Sequence, residues 1–471
     1  MDKATQLLSV LGRLSPEQAC QLARAVELDH ALGRDSLPRA SILDALRPTL
    51  RVAKAPRVPT LLRLICAGIE DFLTDRIDDP RLEGLIPRAS LAPWWQAVTI
   101  VAGAEIEALE MRLREQLAAP VPNLETLQDE AQQAAARWSF TLATDLPKTQ
   151  RAAVRRLLPD LIQHDVDVIA HALTVARPLG AAMKTLYRVA ARLNLLDDRV
   201  ITDLSPDCVT LLKKEYLALS ESHGMDARFL ALAVLNRLAQ PRQILRLGRA
   251  LSWKPNDSLV ASTEFSCVGA RLIGEVERLA RILLQLMPRR GPLPAPASLG
   301  AALINYLEES EGMLGEIGVR RDSPWGAAML QTRSEIADAL DGEFLERYAE
   351  VILALLPQAE RPGRGANLAE APSRDAIVAA SEAAAFLKLL TQRGQRHGFA
   401  KAALETIDEL GKELEDRIDD LCKAARAGPA DPAVIEAQAR AAAELCDELF
   451  DDGRSTALMR RVTAALRAPA A

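Results

Sequence analysis

Apolar residues recur at every third or fourth position along the C-terminal part of the chain. The clearest row consists of Ile407, Leu410, Leu414, Ile418 and Leu421. Because an α-helix turns once every 3.6 residues, this spacing places the five side chains on one face. Charged residues fill the positions between them, so the pattern predicts a long amphipathic helix. After a break at residues 428–432, the segment 434–450 resumes the pattern, and we expect it to fold back as a helical hairpin.

A second row near the N-terminus predicts a helix with one buried face. Its members are Leu62, Ile65, Cys66, Ile69, Phe72 and Leu73. The segment 93–118 shows the same periodicity with charged residues in between, which predicts a longer, partly exposed helix. Its most apolar part is interrupted by Gln96, Glu105 and Glu107, well short of the roughly 20 apolar residues that a membrane span needs. We therefore expect no transmembrane segment.

Two helix starts are visible in the local sequence. Ser15 is followed by Pro16 and then by Gln18, which is the pattern of a capping box with proline at the first helical position. Ser205 begins a second Ser-Pro start, and Gly224 lies just beyond the predicted end of that helix. Both signals predict where a helix begins without any knowledge of its packing.

Two irregular stretches divide the chain into three predicted regions. Residues 288–298 contain four prolines, and residues 357–373 replace the periodic pattern with proline, glycine and charge. We predict a large helical region over residues 1–287, a short helical region over 300–356 and a C-terminal helical hairpin module over 373–471.

The composition favours helices over strands. Hydrophobic residues make up 49% of the chain but aromatic residues only 4%, so alanine and leucine supply most of the apolar surface. These two residues favour helices, whereas strands draw on β-branched and aromatic side chains. We therefore predict an all-α protein, built as a multi-helix bundle, as stacked helical hairpins or as an irregular α-solenoid.

Charge and cysteine spacing narrow the choice of partner and location. The formal net charge of −6 gives no long-range attraction for polyanions, so we expect no nucleic-acid partner. The six cysteines show no CxxC spacing, which is typical of reduced, buried thiols. The N-terminal residues do not form the pattern of an export signal. Together these features predict a cytoplasmic protein.

One segment carries residue types that bind metal ions. His164, Asp167 and His171 follow one another at spacings of three and four, which places them on one helix face. Imidazole and carboxylate groups are ligands for zinc and iron. The pattern is more often that of polar positions on a solvated helix face, and the sequence shows no second ligand cluster. A metal-dependent enzyme with its site around these residues is therefore the alternative function.

Two rows of basic residues could engage phosphates. One row consists of Arg242, Arg246 and Arg249, and the other of Lys148, Arg151 and Arg155. The sequence contains no GxxxxGK[ST], no GxGxxG after a strand and no GxSxG, which are the motifs of common enzyme classes. We therefore interpret the chain as a non-enzymatic helical scaffold or protein–protein interaction protein. We expect a protein partner or self-association, and no cofactor.

Overall fold

The computed structural model of the chain is an all-α protein. Helices make up 80% of it, and the strands among the described residues form two short pairs. The structure describes residues 11–467 except 12–13, 35–37, 54–57, 77–81, 145, 147, 159, 253–262, 289–290, 341, 357–370, 428–430 and 451–452. The chain divides into two compact units, Met1–Trp253 with Val260–Arg271 and Lys254–Leu259 with Leu272–Ala471.

The first unit is built from short and medium helices joined by tight turns. Its helices are α1 (Pro16–Ala31), α2 (Arg39–Ala53), α3 (Leu61–Cys66), α4 (Leu91–Ala118), α5 (Leu124–Thr144), α6 (Lys148–Leu157), α7 (Asp160–Thr174), α8 (Ala176–Arg192), α9 (Pro206–His223), α10 (Arg228–Arg237) and α11 (Leu245–Leu251). Its strands are β1 (Leu73–Thr74), parallel to β2 (Ile86–Pro87), and β3 (Leu196–Asp197), antiparallel to β4 (Val200–Ile201). α5 packs along both α4 and α7 and forms the centre of this unit.

Both predicted helix starts are confirmed. The Ser15 hydroxyl accepts a hydrogen bond from the Gln18 amide at 3.2 Å, and the Gln18 side chain accepts one from the Ser15 amide at 3.0 Å. The Ser205 hydroxyl accepts a hydrogen bond from the Cys208 amide at 3.4 Å and so caps α9. Gly224 follows α9 with a φ of +57°, a conformation that glycine adopts without strain.

The predicted helix over residues 62–73 is wrong in its second half. α3 ends at Cys66, and a 3₁₀ turn at Glu70–Phe72 leads into β1. The chain turns around Gly68, where a Cβ atom would lie only 2.7 Å from Nε2 of Gln132. Because this close approach arises from tertiary packing, apolar periodicity alone does not report it.

The predicted helix over residues 93–118 is confirmed as α4, with a kink at Ala102. No single described helix is long and apolar enough to cross a membrane. His164–Thr174 and Ala176–Arg192 meet the criteria of length and composition only when taken together, across a bend of 74°.

The second unit is a helical bundle. α12 (Ser266–Gln285) contains the residue at which the two units divide. The helices that follow are α13 (Pro296–Glu316), α14 (Pro324–Ala339), α15 (Gly342–Leu353), α16 (Arg374–Arg393), α17 (Ala400–Ala427), α18 (Pro432–Leu449) and α19 (Arg454–Arg467). The predicted amphipathic helix and its hairpin partner are confirmed as α17 and α18. All five apolar residues of the α17 row are buried. The C-terminal part contains two further helices, α16 and α19, which the hairpin prediction did not include.

The first predicted linker, residues 288–298, is fixed by hydrogen bonds from α15. Arg347 donates hydrogen bonds to the carbonyls of Pro288 and Gly291, and the Tyr348 hydroxyl donates to the carbonyl of Pro294 at 2.9 Å. Most of the second predicted linker, residues 357–370, lies outside the described residues. The three predicted regions therefore stay a prediction about which parts of the chain fold independently.

Candidate functional site

The three residues of the predicted metal site lie on α7, where their side chains have different surroundings. The His164 ring is nearly half exposed, and its Nε2 lies 3.9 Å from a carboxylate oxygen of Glu83. Asp167 is exposed. The His171 ring is less exposed, and its Nδ1 lies 3.2 Å from Oδ1 of Asp226. The two histidines therefore contact two different carboxylates.

Helix geometry separates the two histidines further. Because an α-helix rises 1.5 Å per residue, His164 and His171 are about 10.5 Å apart along the axis of α7. Zinc–nitrogen bonds are only about 2.0–2.1 Å long, so both rings would have to lean toward a shared ion. Within the described part of the chain, no group of three or more His, Cys, Asp and Glu side chains could hold a metal ion. The metal site stays a prediction that this geometry does not strengthen.

His171 lies between two phenylalanine rings. Its imidazole is perpendicular to the Phe140 ring at a centroid distance of 5.1 Å and stacks on Phe229 at 6.3 Å. Asp226 reaches it from the 3₁₀ turn Gly224–Ala227, which follows α9. A histidine held through Nδ1 by a carboxylate can use Nε2 for proton transfer or metal binding. Among the described residues, no second side chain forms a hydrogen bond with this ring, so the pair lacks a nucleophile to activate.

A second histidine–carboxylate pair lies in the second unit. Nε2 of His397 is 3.2 Å from Oε1 of Glu311, and the His397 side chain is only 7% exposed. The ring stacks on Phe399 at 5.7 Å, and Nε of Arg333 donates to the His397 carbonyl at 2.6 Å. Burial lowers the pKa of the His397 imidazole, while the hydrogen bond with Glu311 opposes that shift. We interpret this enclosed pair as part of the core.

Asp71 connects distant parts of the first unit. Its Oδ1 accepts hydrogen bonds from Nε of Arg237 at 2.7 Å and from the Tyr187 hydroxyl at 3.4 Å. Arg237 also donates to the carbonyl of Glu70 at 3.0 Å. Burial raises the pKa of Tyr187 to about 12, so its hydroxyl remains a donor at neutral pH. These bonds attach α8 and α10 to the turn after α3, which is a structural role.

The two predicted basic rows lie in different surroundings. Arg151 and Arg155 line a cavity of about 320 Å³ together with Thr144, at the C-terminal end of α5. That end of a helix carries a partial negative charge, which offsets part of the positive charge of the two arginines. Arg151 also donates a hydrogen bond to the carbonyl of Leu146 at 3.2 Å. In the other row, Nη1 of Arg246 lies 2.9 Å from a carboxylate oxygen of Asp203.

An open groove of about 550 Å³ runs between α18 and α19 in the second unit. The side chains that line it include Ala443, Asp447, Thr456, Arg460, Thr463 and Arg467. Alanine and threonine are small, so they leave room for another helix to approach closely. Both arginines are exposed, and no described residue forms an ion pair with either of them.

Contacts on the opposite side of α19 direct these arginines into the groove. Leu458 and Val462 are buried on the inner face of α19. Arg461, which is next to Arg460 in the sequence, turns the other way and forms an ion pair with Asp419 of α17. Because neighbouring helical residues point about 100° apart, fixing Arg461 on α17 leaves Arg460 on the groove side.

A glycine in the middle of α17 makes room for the joint between α18 and α19. The guanidinium carbon of Arg454 lies 4.4 Å from the ring centroid of Phe450, which is a cation–π contact. A Cβ atom at Gly411 would lie 3.1 Å from Nη1 of Arg454 and 3.2 Å from Cζ of Phe450. The missing side chain lets this stacked pair settle onto α17.

Sequence reasoning missed Asp226 and the two groove arginines for different reasons. Asp226 is 55 residues from His171, and nothing in the local sequence links them. The groove had a readable signal, because α19 carries four arginines and no acidic residue in 14 positions. A helix whose charged residues are all basic predicts an acidic neighbour, in the same chain or in a partner.

No family model, curated protein or solved structure matches this chain. Its function is therefore inferred from residues and distances within the described structure. Of the two cavities above that are lined by arginines, the α18–α19 groove is the larger, at about 550 Å³, and neither of its exposed arginines has a described ion-pair partner.

Proposed function

We propose that the protein is a non-enzymatic helical interaction protein that binds a helical segment of a protein partner in the α18–α19 groove. The groove is the observation that supports this proposal, because its volume and its small lining residues suit a third helix packed against two others. The groove side of α19 extends from Ser455 to Arg467, which corresponds to about 18 Å of helix.

The charges of the groove indicate the kind of segment that fits. Arg460 and Arg467 are seven residues apart, which is two helical turns, so they form one row of positive charge. Asp447 is the one acidic side chain among the described residues that line the groove. An amphipathic helix with a mainly acidic polar face would pair with the positive charges of both arginines and bury the Met459 side chain.

We also propose a cytoplasmic location. All six cysteines are free thiols. Burial raises the pKa of Cys66 to about 12 and that of Cys267 to about 11, so both remain protonated at neutral pH. Protonated, buried thiols are slow to oxidise and are typical of a reducing compartment.

A direct binding measurement tests the proposed function. The probe is a fluorescein-labelled amphipathic peptide of about 18 residues with glutamate on its polar face and leucine on the other. We expect its fluorescence anisotropy to rise on addition of the full chain. The same peptide with lysine in place of glutamate should bind at least about tenfold more weakly.

A charge-reversed variant assigns the binding to the groove. Arg460→Glu with Arg467→Glu should weaken binding of the acidic peptide at least about tenfold, because like charges then face each other. Arg321→Glu with Arg374→Glu makes the same change in net charge at two exposed arginines outside the groove and is the matched control. If the acidic peptide does not bind, or binds both variants equally, the proposed function is wrong.

A further inference from the structure

We infer that the occupant of the groove is a second copy of this chain, which inserts the exposed face of its α17. This inference rests on the proposed function and names the partner. The face of α17 in question runs from Glu405 to Asp416, on the side away from its buried apolar row. We refer to it as the acidic face.

The acidic face has the composition that the groove requires. Its exposed acidic residues are Glu405, Asp408, Glu409, Glu413 and Asp416. Glu415 is also exposed, but it lies toward α19 and pairs with Arg454. Lys412 adds one positive charge to the acidic face, as Asp447 adds one negative charge to the described part of the groove. The described residues of the two surfaces thus carry mainly opposite charge.

The two surfaces also match in length and spacing. The acidic face covers 11 helical steps from Glu405 to Asp416, about 16.5 Å, and the groove side of α19 covers 12 steps from Ser455 to Arg467, about 18 Å. Glu409 and Asp416 are seven residues apart, as are Arg460 and Arg467. Each pair of charges is therefore separated by about 10.5 Å along its helix.

Glu405 of the acidic face lies 3.8 Å from Nζ of Lys401 on its own helix, whereas the four charges proposed to pair between copies are available. No described residue forms an ion pair with Glu409, Asp416, Arg460 or Arg467. α17 and α19 pack against each other within one copy, so both surfaces belong to the same bundle. A pair of copies that makes each contact twice satisfies both surfaces and forms a closed, isologous dimer.

Sedimentation velocity of the full chain tests this inference. We expect the wild-type protein to associate as its concentration is raised over about a hundredfold range, and to associate more weakly at high salt, which screens the charges. Arg460→Glu with Arg467→Glu, and separately Glu409→Arg with Asp416→Arg, should each weaken association at least about tenfold. All four positions are exposed, and circular dichroism checks that each variant remains folded.

Mixing the two reversed variants is the decisive step. Each carries one reversed and one original surface, so the mixture has matched charges at both contacts and should regain wild-type association. The control with Arg321→Glu and Arg374→Glu should associate like the wild type. A wild-type chain that stays monomeric, or a mixture of folded variants that fails to associate, overturns the inference.

The two proposals fail in different ways. If the wild-type chain is monomeric but the acidic peptide still binds the groove, the second copy is not the occupant and the proposed function stands. If the acidic peptide does not bind and reversal of the groove arginines leaves association unchanged, both proposals are wrong.

Discussion

The two histidine–carboxylate pairs have the same nitrogen–oxygen distance and opposite environments. His171 and Asp226 in the first unit are 3.2 Å apart, and so are His397 and Glu311 in the second. The His171 side chain is 38% exposed, whereas that of His397 is 7% exposed. Each ring also stacks on a phenylalanine. Contact geometry alone therefore does not distinguish an accessible histidine from a structural one.

Burial is the physical difference between the pairs. Burial penalises the charged form of the His397 ring and lowers its pKa. The consequence is that His397 contributes to the stability of its unit, while the partly exposed His171 ring has a nitrogen that solvent or a ligand can reach. Four measurements test whether burial accounts for this contrast, and they are given in order of decreasing effect.

Leu414→Asp measures the free energy cost of burying a charge in the core of the second unit, where His397 also lies. Leu414 is 1% exposed in the buried row of α17, so the new carboxylate would have neither water nor a partner. We expect the free energy of unfolding of the second unit to fall by about 4 kcal/mol. Urea denaturation followed by circular dichroism measures it, with Glu413→Asp on the exposed side of α17 as the control. An unchanged transition and an unchanged association state would contradict the buried row.

His397→Ala and His171→Ala compare the two pairs directly. Removing the His397 ring leaves a cavity beside Phe399 and leaves Glu311 with Arg393 alone as its partner, at 3.9 Å, which should cost about 3 kcal/mol. Removing the half-exposed His171 ring should cost about 1 kcal/mol. Thermal unfolding of both variants measures the difference. Equal losses would show that burial is not what separates the pairs.

Stability should depend on pH through His397. Its pKa in the folded protein lies below the ordinary value of 6.5, so the unfolded chain binds more protons between those two values. The contribution of the neutral ring is fully present above pH 6.5 and is lost as the pH falls toward the lowered pKa. Urea denaturation from pH 7.5 down to about pH 5 should show this loss for the wild type and a smaller loss for His397→Gln. His171→Gln retains His397 and is the matched control, so a profile that flattens in the control instead would refute the assignment.

The smallest expected effect concerns metal. Because His164 and His171 contact separate carboxylates, we expect the purified protein to contain no stoichiometric zinc, iron or manganese, and His171→Ala to leave the metal content unchanged. Elemental analysis by mass spectrometry measures this. Near-equimolar metal in the wild type that is lost in His171→Ala would favour the metal-dependent enzyme over the interaction protein.

Local signals predicted local structure well. The Ser15 cap and the apolar row of α17 depend on residues within a turn or two of each other, so sequence spacing was sufficient to place them. The segment after Cys66 shows the limit, because the turn at Gly68 accommodates Gln132, which is far along the chain. The all-α class was predictable for the same reason as the caps, since it sums many local preferences.

The candidate sites depended on contacts that spacing does not contain. His164, Asp167 and His171 do lie along one helix, but the carboxylates that approach the two histidines come from Glu83 and Asp226 on other elements. The α18–α19 groove exists because two helices pack side by side, which no single segment encodes. The arginines of α19 were visible in the sequence. Only the packing shows that Arg461 pairs with α17 while Arg460 and Arg467 line the groove.

Gly411 makes the middle of α17 dependent on contacts from another part of the bundle. A glycine inside a helix costs about 1 kcal/mol relative to alanine, so α17 is weakest at its middle when considered alone. Phe450 and Arg454 cover that weak point in the folded protein. The ribosome makes α17 before it makes these residues, so the middle of α17 lacks this cover until α18 and the start of α19 have been added. Residues that follow α17 in the sequence therefore complete its packing.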